Sequence, residues 1–453
     1  MLFSLTNPEV AIMMMGIFLF AVLLGFPIAF TLMAMGIGFG YYAYYDPAVM
    51  EHFLDNRIFQ LFVQNTYTVM DNNVLTAVPL FLFMGYLVER AGIVAKLFFA
   101  IRLAAHRLPA SMAVAALITC TLFSTATGII GAVVTLMGLL AWPAMVKAGY
   151  DKKFASGIIC AGGCLGILIP PSIMLIVYSV IAQLSPLRLF AAAIFPGLML
   201  AGLYITYAVT RAYFNPSIAP RPPEEDIPPQ SEILKEVLFS FVPLFALIML
   251  VLGTILAGIA TPAEAAAAGA FGALVLSYFY KTLKWKNFKE SVFLTAKTTA
   301  MIMWLFIGSW TFSSVFSYLG GHEVFEHFFK SMDLAPWQFL VITQIIIFLL
   351  GWPLEWTEIL IIFVPIFLPL LAIFDVNPYF FAMLIALNLQ TSFLTPPMAM
   401  SAYYLKGVQS KNVELMQIFS GIMPFLAIVI FAMILMYWFP GIALWLPETL
   451  FAD

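Results

Sequence analysis

Residues 157–178 read Gly157-Ile-Ile-Cys-Ala-Gly-Gly-Cys-Leu-Gly-Ile-Leu-Ile-Pro-Pro-Ser-Ile-Met-Leu-Ile-Val-Tyr178, an apolar span that carries its own interruption. Gly162, Gly163 and Gly166 weaken a helix, and Pro170 and Pro171 remove two backbone donors and disfavour α geometry just before them. A helix breaks here. In hydrocarbon the freed carbonyls and amides cost several kcal/mol each unless they line a polar cavity or hold a ligand. The same device returns in Asn388-Leu-Gln-Thr-Ser-Phe-Leu-Thr-Pro-Pro397. Pro171 and Pro397, Tyr178 and Tyr404, and Pro143 and Pro369 are each separated by 226 positions. Such a register describes two structural halves, each with one interrupted span, and paired broken helices point to a transporter's binding site.

Hydrophobic residues make up 63% of the 453 and charged ones 9%, with mean hydropathy +1.02. That composition belongs to an all-α polytopic membrane protein. Several apolar stretches exceed the roughly 20 residues a spanning helix needs, and no period-two alternation indicates a barrel. A net charge of −3 and a pI near 5.8 leave no basic face for nucleic acid. Residues 1–8 lack a basic segment, so no cleaved signal peptide is expected. Cys120, Cys160 and Cys164 lie in apolar sequence and read as buried small hydrophobes. His322 and His327 are five apart, not the four that would share a helix face, so no metal centre is expected there. The absence of a phosphate-binding Gly-rich loop leaves an ion gradient or a partner as the energy source.

Along the chain, residues 10–45 break at Gly25-Phe-Pro27 and read as two crossings, by comparison with 237–259 and 263–280. Residues 46–56 carry Asp46, Glu51 and Asp55 and belong outside. The segments 90–107 (Arg90, Lys96, Arg102, Arg107) and 147–153 (Lys147, Lys152, Lys153) belong inside. Between the two basic segments the chain dips in and returns, as a hairpin at about 108–147 that is either re-entrant or a pair of full crossings. An interrupted helix follows at about 154–183. Residues 214–236, rich in proline, read as a cytoplasmic linker between a first repeat (1–213) and a second (237–453).

The second repeat reverses the charges. Lys281, Lys284, Lys286 and Lys289 stand where the first was acidic, and Glu323, Glu326 and Asp333 where it was basic. Reversal of sign in matching loops is what an inverted-topology repeat requires. Its hairpin falls at about 337–373 and its broken helix at about 379–408.

Sodium wants several oxygens, which a broken helix supplies as free carbonyls beside hydroxyl and amide side chains. One ion site is expected from Ser124, Thr125, Thr127 and Gly128 with Gly162, Gly163 and Gly166. A second is expected from Gly351 and Thr357 with Asn388, Gln390, Thr391, Ser392 and Thr395. Half-helix N-termini turned to mid-membrane suit a carboxylate, so Ser124, Thr125, Pro170, Pro171, Ser172, Thr395, Pro396 and Pro397 are the expected substrate contacts. No arginine lies in either broken span. Glu355 and Glu358 are acids by position inside the second hairpin. Glu264 most simply caps a helix begun at Pro262, and Lys297 and Lys406 are expected near helix ends. No intramembrane catalytic pair is present, so the chain reads as a carrier and not an enzyme.

The runs Phe123-Ser-Thr-Ala-Thr-Gly128, Gly149-Tyr-Asp151, Gly166-Ile-Leu-Ile-Pro-Pro-Ser-Ile173, Phe195-Pro-Gly197, Thr261-Pro-Ala-Glu-Ala-Ala266, Asn388 through Pro397 and Tyr404-Leu-Lys-Gly-Val408 resemble, in order, the large membrane (M) subunit of tripartite ATP-independent periplasmic (TRAP) transporters. The first hairpin tip differs from the commoner family form in having no aspartate. The resemblance implies an elevator-type carrier of the ion-transporter superfamily with two re-entrant hairpins. It also implies a bacterial inner-membrane location, sodium as coupling ion with no other cofactor, and an organic-acid substrate. Its partners would be a separate small four-helix membrane (Q) subunit and a soluble periplasmic binding (P) protein.

Overall fold

The computed structural model describes residues 6–48, 50–220, 229–409 and 412–451. Residues 221–228 of the expected linker lie outside them. The described chain is all helical. In order come α1 (Asn7–Leu23), α2 (Ile28–Ala43), α3 (Arg57–Met70), α4 (Ala77–Arg90), α5 (Ile93–Ala104), α6 (Ser111–Thr127), α7 (Ile130–Lys147), α8 (Lys152–Cys164), α9 (Ile173–Ala182) and α10 (Pro186–Phe214). After the linker come α11 (Gln230–Leu256), α12 (Pro262–Phe279), α13 (Trp285–Tyr318), α14 (Gly321–Ser331), α15 (Pro336–Leu350), α16 (Trp356–Glu358), α17 (Val364–Ile373), α18 (Pro378–Leu394), α19 (Met400–Val408), α20 (Leu415–Trp438) and α21 (Gly441–Leu450). Among the described residues seven helices are long and apolar enough to cross a membrane, or eight if α4 and α5, bent by 63°, count as one.

Local chemistry explains the boundaries. Thr261 and Glu264 form a capping box at α12, with Thr261 N–H donating to Glu264 Oε2 at 2.8 Å and Glu264 N–H to Thr261 Oγ1 at 3.3 Å. Gly92, at φ +67°, makes the bend between α4 and α5, and Gly128, at φ +62°, ends α6 in the left-handed region that glycine adopts without strain. α1 and α2 are separate helices, joined through Gly25 at φ +85°. Lys406 lies in the last turn of α19 and donates to the Val413 carbonyl at 2.8 Å. Lys297, expected near a helix end, lies well inside α13, because α13 runs unbroken for 34 residues. At 1.5 Å per residue that is about 50 Å, longer than a bilayer core of about 30 Å. All three cysteines are buried.

Two groups of helices result. In the first, α2 packs along α13, α12 along α4, α11 along α5, and α1 against α14. Each pair takes one helix from before the linker and one from after it, so neither half forms this group alone. In the second, α8 packs on α20, α7 on α19, and α18 on both α15 and α20, with α10 bracing α6, α20 and α21. Gly157 and Gly421 let α8 and α20 meet backbone to backbone.

The second group contains both interruptions. α8 ends in a tight turn at Leu165–Ile167 and the chain resumes as α9 only at Ile173. α18 ends at Leu394 and α19 starts at Met400. Both Pro-Pro peptide bonds are cis. Two carbonyls freed by the breaks are taken by hydroxyls: Ser172 Oγ donates to Ile167 O at 2.6 Å, and Ser401 Oγ to Phe393 O at 2.7 Å. Ile167 and Phe393 occupy corresponding positions in the 226-residue register. A π-helical turn at Ile359–Phe363 joins α16 to α17, and Ser309 of α13 donates to Ile361 O within it at 2.9 Å.

Candidate functional site

Gly128 and Ile129 turn α6 into α7, and residues 351–355 turn α15 into α16. Between these two turns lies a cavity of about 120 Å³. One wall is the first turn, Gly128 to Gly131, and another is Glu355, Trp356 and Thr357 of the second. Ile167 and Ile173 from the first break, and Phe393 and Met400 from the second, complete the bundle side, with Tyr404 of α19. The opposite side comes from the other helix group: Leu82 of α4 and Thr298, Met301 and Ile302 of α13. Both turns, both breaks and the facing helices therefore meet in one space. Its polar side chains are Thr298, Glu355, Thr357 and Tyr404, and among the described residues no lysine, arginine or histidine lines it. Just beyond it Tyr86 Oη and Thr298 Oγ1 are 3.2 Å apart, and Arg90 pairs with Glu290, so α4 and α13 are tied along one face.

Of the first expected ion site, the structure brings Ser124 and Gly166 into direct contact. Ser124 donates to the Cys120 carbonyl, and Thr125 Oγ1 to Leu122 O at 2.7 Å, each within its own helix. Thr127 is 2% exposed and its hydroxyl has no hydrogen-bond partner, while Gly85 of α4 lies against its backbone. Gly128 lines the cavity; Gly162 packs on Cys120 and Gly163 on Val134. Pro170, Pro171 and Ser172 are buried between the halves of the break, whereas Pro396 is half-buried and Pro397 exposed.

The second expected set divides. Gly351 touches Ser392, as Gly166 touches Ser124. Thr357 lines the cavity, 2% exposed, with its hydroxyl unpartnered. Gln390 is wholly buried and neither of its amide atoms has a partner. Asn388 and Thr391 instead line a separate apolar groove of about 380 Å³ between α15, α18 and α20. There Asn388 Nδ2 donates to Gln344 O at 2.7 Å and to Gln344 Oε1 at 2.9 Å, and Thr391 Oγ1 to Asn388 O at 2.6 Å. Ser392 Oγ donates to Leu389 O at 2.7 Å and Thr395 to the Thr391 carbonyl. Sequence reasoning passed over Gln344, although a lone amide within the apolar run 339–350 was visible. It also passed over Thr298, which nothing in the α13 sequence distinguishes from other helix hydroxyls.

The family model described as tripartite ATP-independent periplasmic transporter, DctM component, matches residues 15–442. The chain belongs to the DctM family. Among DctM relatives, the C4-dicarboxylate TRAP transporter large permease protein DctM of Pseudomonas aeruginosa is 27% identical over 85% of this chain and 88% of its own length. The sialic acid TRAP transporter large permease protein SiaM of Vibrio cholerae is 29% identical over 84% and 87%. In fold the chain is similar to the Alcanivorax borkumensis YdaH transporter, with a TM-score of 0.62 at 14% identity over 92% of this chain and 98% of that one. The DctM family assignment makes this chain a multi-pass membrane transporter permease, as its apolar helices require.

Proposed function

We propose that this chain is the transport subunit of a sodium-coupled secondary transporter that carries a small organic acid across the bacterial inner membrane. The observation that supports this reading above the others is the meeting of both helix turns and both broken helices around one cavity, where broken-helix backbone offers oxygens to cations and N–H groups to a carboxylate. Relatives named for C4-dicarboxylates and for sialic acid support a carboxylate as the substrate. The two halves are inverted repeats, with α6–α7 and α15–α17 as re-entrant hairpins. The bundle of α6–α10 and α15–α21 moves against the group of α1–α5 and α11–α14 as an elevator, and the cavity on that boundary travels with it. A separate small membrane subunit braces the stationary group, and a soluble periplasmic binding protein delivers the acid.

Reconstitution tests the coupling. The chain is placed in proteoliposomes with its small subunit and its binding protein, and uptake of a panel of labelled organic acids is followed under an inward sodium gradient and under an equal potassium gradient. Accumulation with sodium alone is expected. Accumulation that ignores the sodium gradient rejects the coupling, and uptake that persists without the binding protein rejects the tripartite assembly.

A further inference from the structure

Besides the central cavity, α4 and α13 frame two further hollows that follow one another along their seam. The first, of about 530 Å³, lies at the end of α4 and is lined by Arg90, Lys286, Lys289 and Glu290 with Phe293 and Leu294. The second is a groove of about 520 Å³ between Pro79, Leu80 and Phe83 of α4 and Val292, Ala296 and Ala300 of α13. The hydroxyls of Thr295 and Thr299 in its wall are both buried, so the groove offers carbon. In the first hollow Arg90 pairs with Glu290, and its Nε is buried without a partner. The charges of Lys286 and Lys289, both exposed, are then in excess.

The dimensions are those of one lipid leaflet. Glu290 to Ala300 along α13, and Arg90 to Pro79 along α4, each span about 15–17 Å, half of a bilayer core of about 30 Å. Trp285, 76% exposed, opens α13 at the level where tryptophan marks the membrane surface. Lys281, Lys284, Lys286 and Lys289 cluster at that end, as Arg90, Lys96 and Arg102 do around the end of α4, which assigns it to the cytoplasmic side. A free phosphate or soluble acid would answer the charges and leave the groove empty; a neutral lipid would fill the groove and leave the charges unanswered.

We propose that this seam is a binding site for one anionic phospholipid of the cytoplasmic leaflet, its phosphate between Lys286, Lys289 and Arg90 and one acyl chain in the groove. The lipid braces the two helices whose Leu82 and Thr298 wall the central cavity. The site needs no coupling ion and stands or falls apart from the sodium-coupled reading.

The test titrates the purified, delipidated full chain in detergent with phosphatidylglycerol or phosphatidylcholine, counting bound lipid by native mass spectrometry and following the melting temperature. Phosphatidylglycerol is expected to bind more tightly and to raise the melting temperature more. The double variant Lys286→Gln with Lys289→Gln is expected to weaken phosphatidylglycerol about tenfold or more and to leave phosphatidylcholine unchanged. Lys147→Gln, a basic residue at the end of α7, is expected to change neither. Ala296→Phe, which fills the groove and keeps every charge, is expected to weaken both lipids. Equal affinity for the two lipids, or natural phosphatidylglycerol binding in the folded double variant, overturns the proposal. So does an equal rise in melting temperature with glycerol phosphate alone, which would make the site one for free phosphate. Loss of the small membrane subunit from the double variant with lipid binding intact also overturns it, and would make the seam a subunit interface.

Discussion

Gly166 stands so close to Ser124 that a Cβ added to it would collide with the Ser124 Cβ and lie 3.1 Å from its Cα and carbonyl oxygen. The second half makes the same contact with the residue types exchanged: the glycine, Gly351, is in the turn and the serine, Ser392, on the broken helix, 2.7 Å from the added Cβ. Gly166 and Ser392 hold the same place in the 226-residue register. Each hairpin tip is thus seated on its broken helix by one small residue against one glycine.

Gly166→Ala is therefore expected to push the α6–α7 turn off the break, at about 1–3 kcal/mol of overpacking. The paired change Gly166→Ala with Ser124→Gly, which copies the arrangement of the other half, is expected to recover most of the loss. Thermal melting in detergent and uptake by proteoliposomes read both; a double variant no better than the single one rejects the contact.

The crossing of α8 and α20 is stricter, because its obstacle is backbone. A Cβ on Gly421 would collide with the Lys153 carbonyl oxygen, and one on Gly157 with that of Gly421. Gly421→Ala is expected to abolish monodisperse protein in size-exclusion profiles. Gly202→Ala, with nothing within 4 Å of the added Cβ, is expected to change stability by no more than about 0.5 kcal/mol.

Ser172→Ala and Ser401→Ala each strip a hydroxyl from a carbonyl freed by a helix break. Leaving a buried acceptor unpaired costs about 1–3 kcal/mol. Both variants are expected to melt earlier by comparable amounts. Thr206→Ala, which removes an exposed hydroxyl bonded only within α10, serves as the comparison and is expected to leave the melting temperature unchanged.

Thr391→Ala and Ser392→Ala test the second ion site expected from the sequence. Their hydroxyls donate to carbonyls one turn back, so folding is expected to survive while the sodium dependence of uptake weakens. Unchanged sodium affinity in well-folded variants removes these two residues from the site.

His322 opens α14, outside the spanning helices, with its ring edge against Phe316 at 5.6 Å between ring centres. Burial holds its pKa below the ordinary 6.5. The folded state thus binds fewer protons than the unfolded one, so this contribution is complete above about pH 6.5 and is lost as pH falls below it. Hydrogen exchange of α14 is expected to quicken on acidification, and His322→Phe to remove that dependence.

What the sequence determined by itself was whatever rests on local backbone physics. Gly162, Gly163, Gly166 and the two Pro-Pro pairs announced both interruptions, Thr261 and Glu264 announced the start of α12, and the 226-residue register announced two halves with one interrupted span each. Tertiary structure alone decided which hydroxyls and amides face the cavity. Asn388 and Thr391 share a stripe of α18 that meets Gln344, while Thr357 reaches the central space beside Thr298 from a helix far away in sequence. Helical periodicity states which residues share a face, but what that face meets is set by long-range packing between the two halves, and no single segment carries that information.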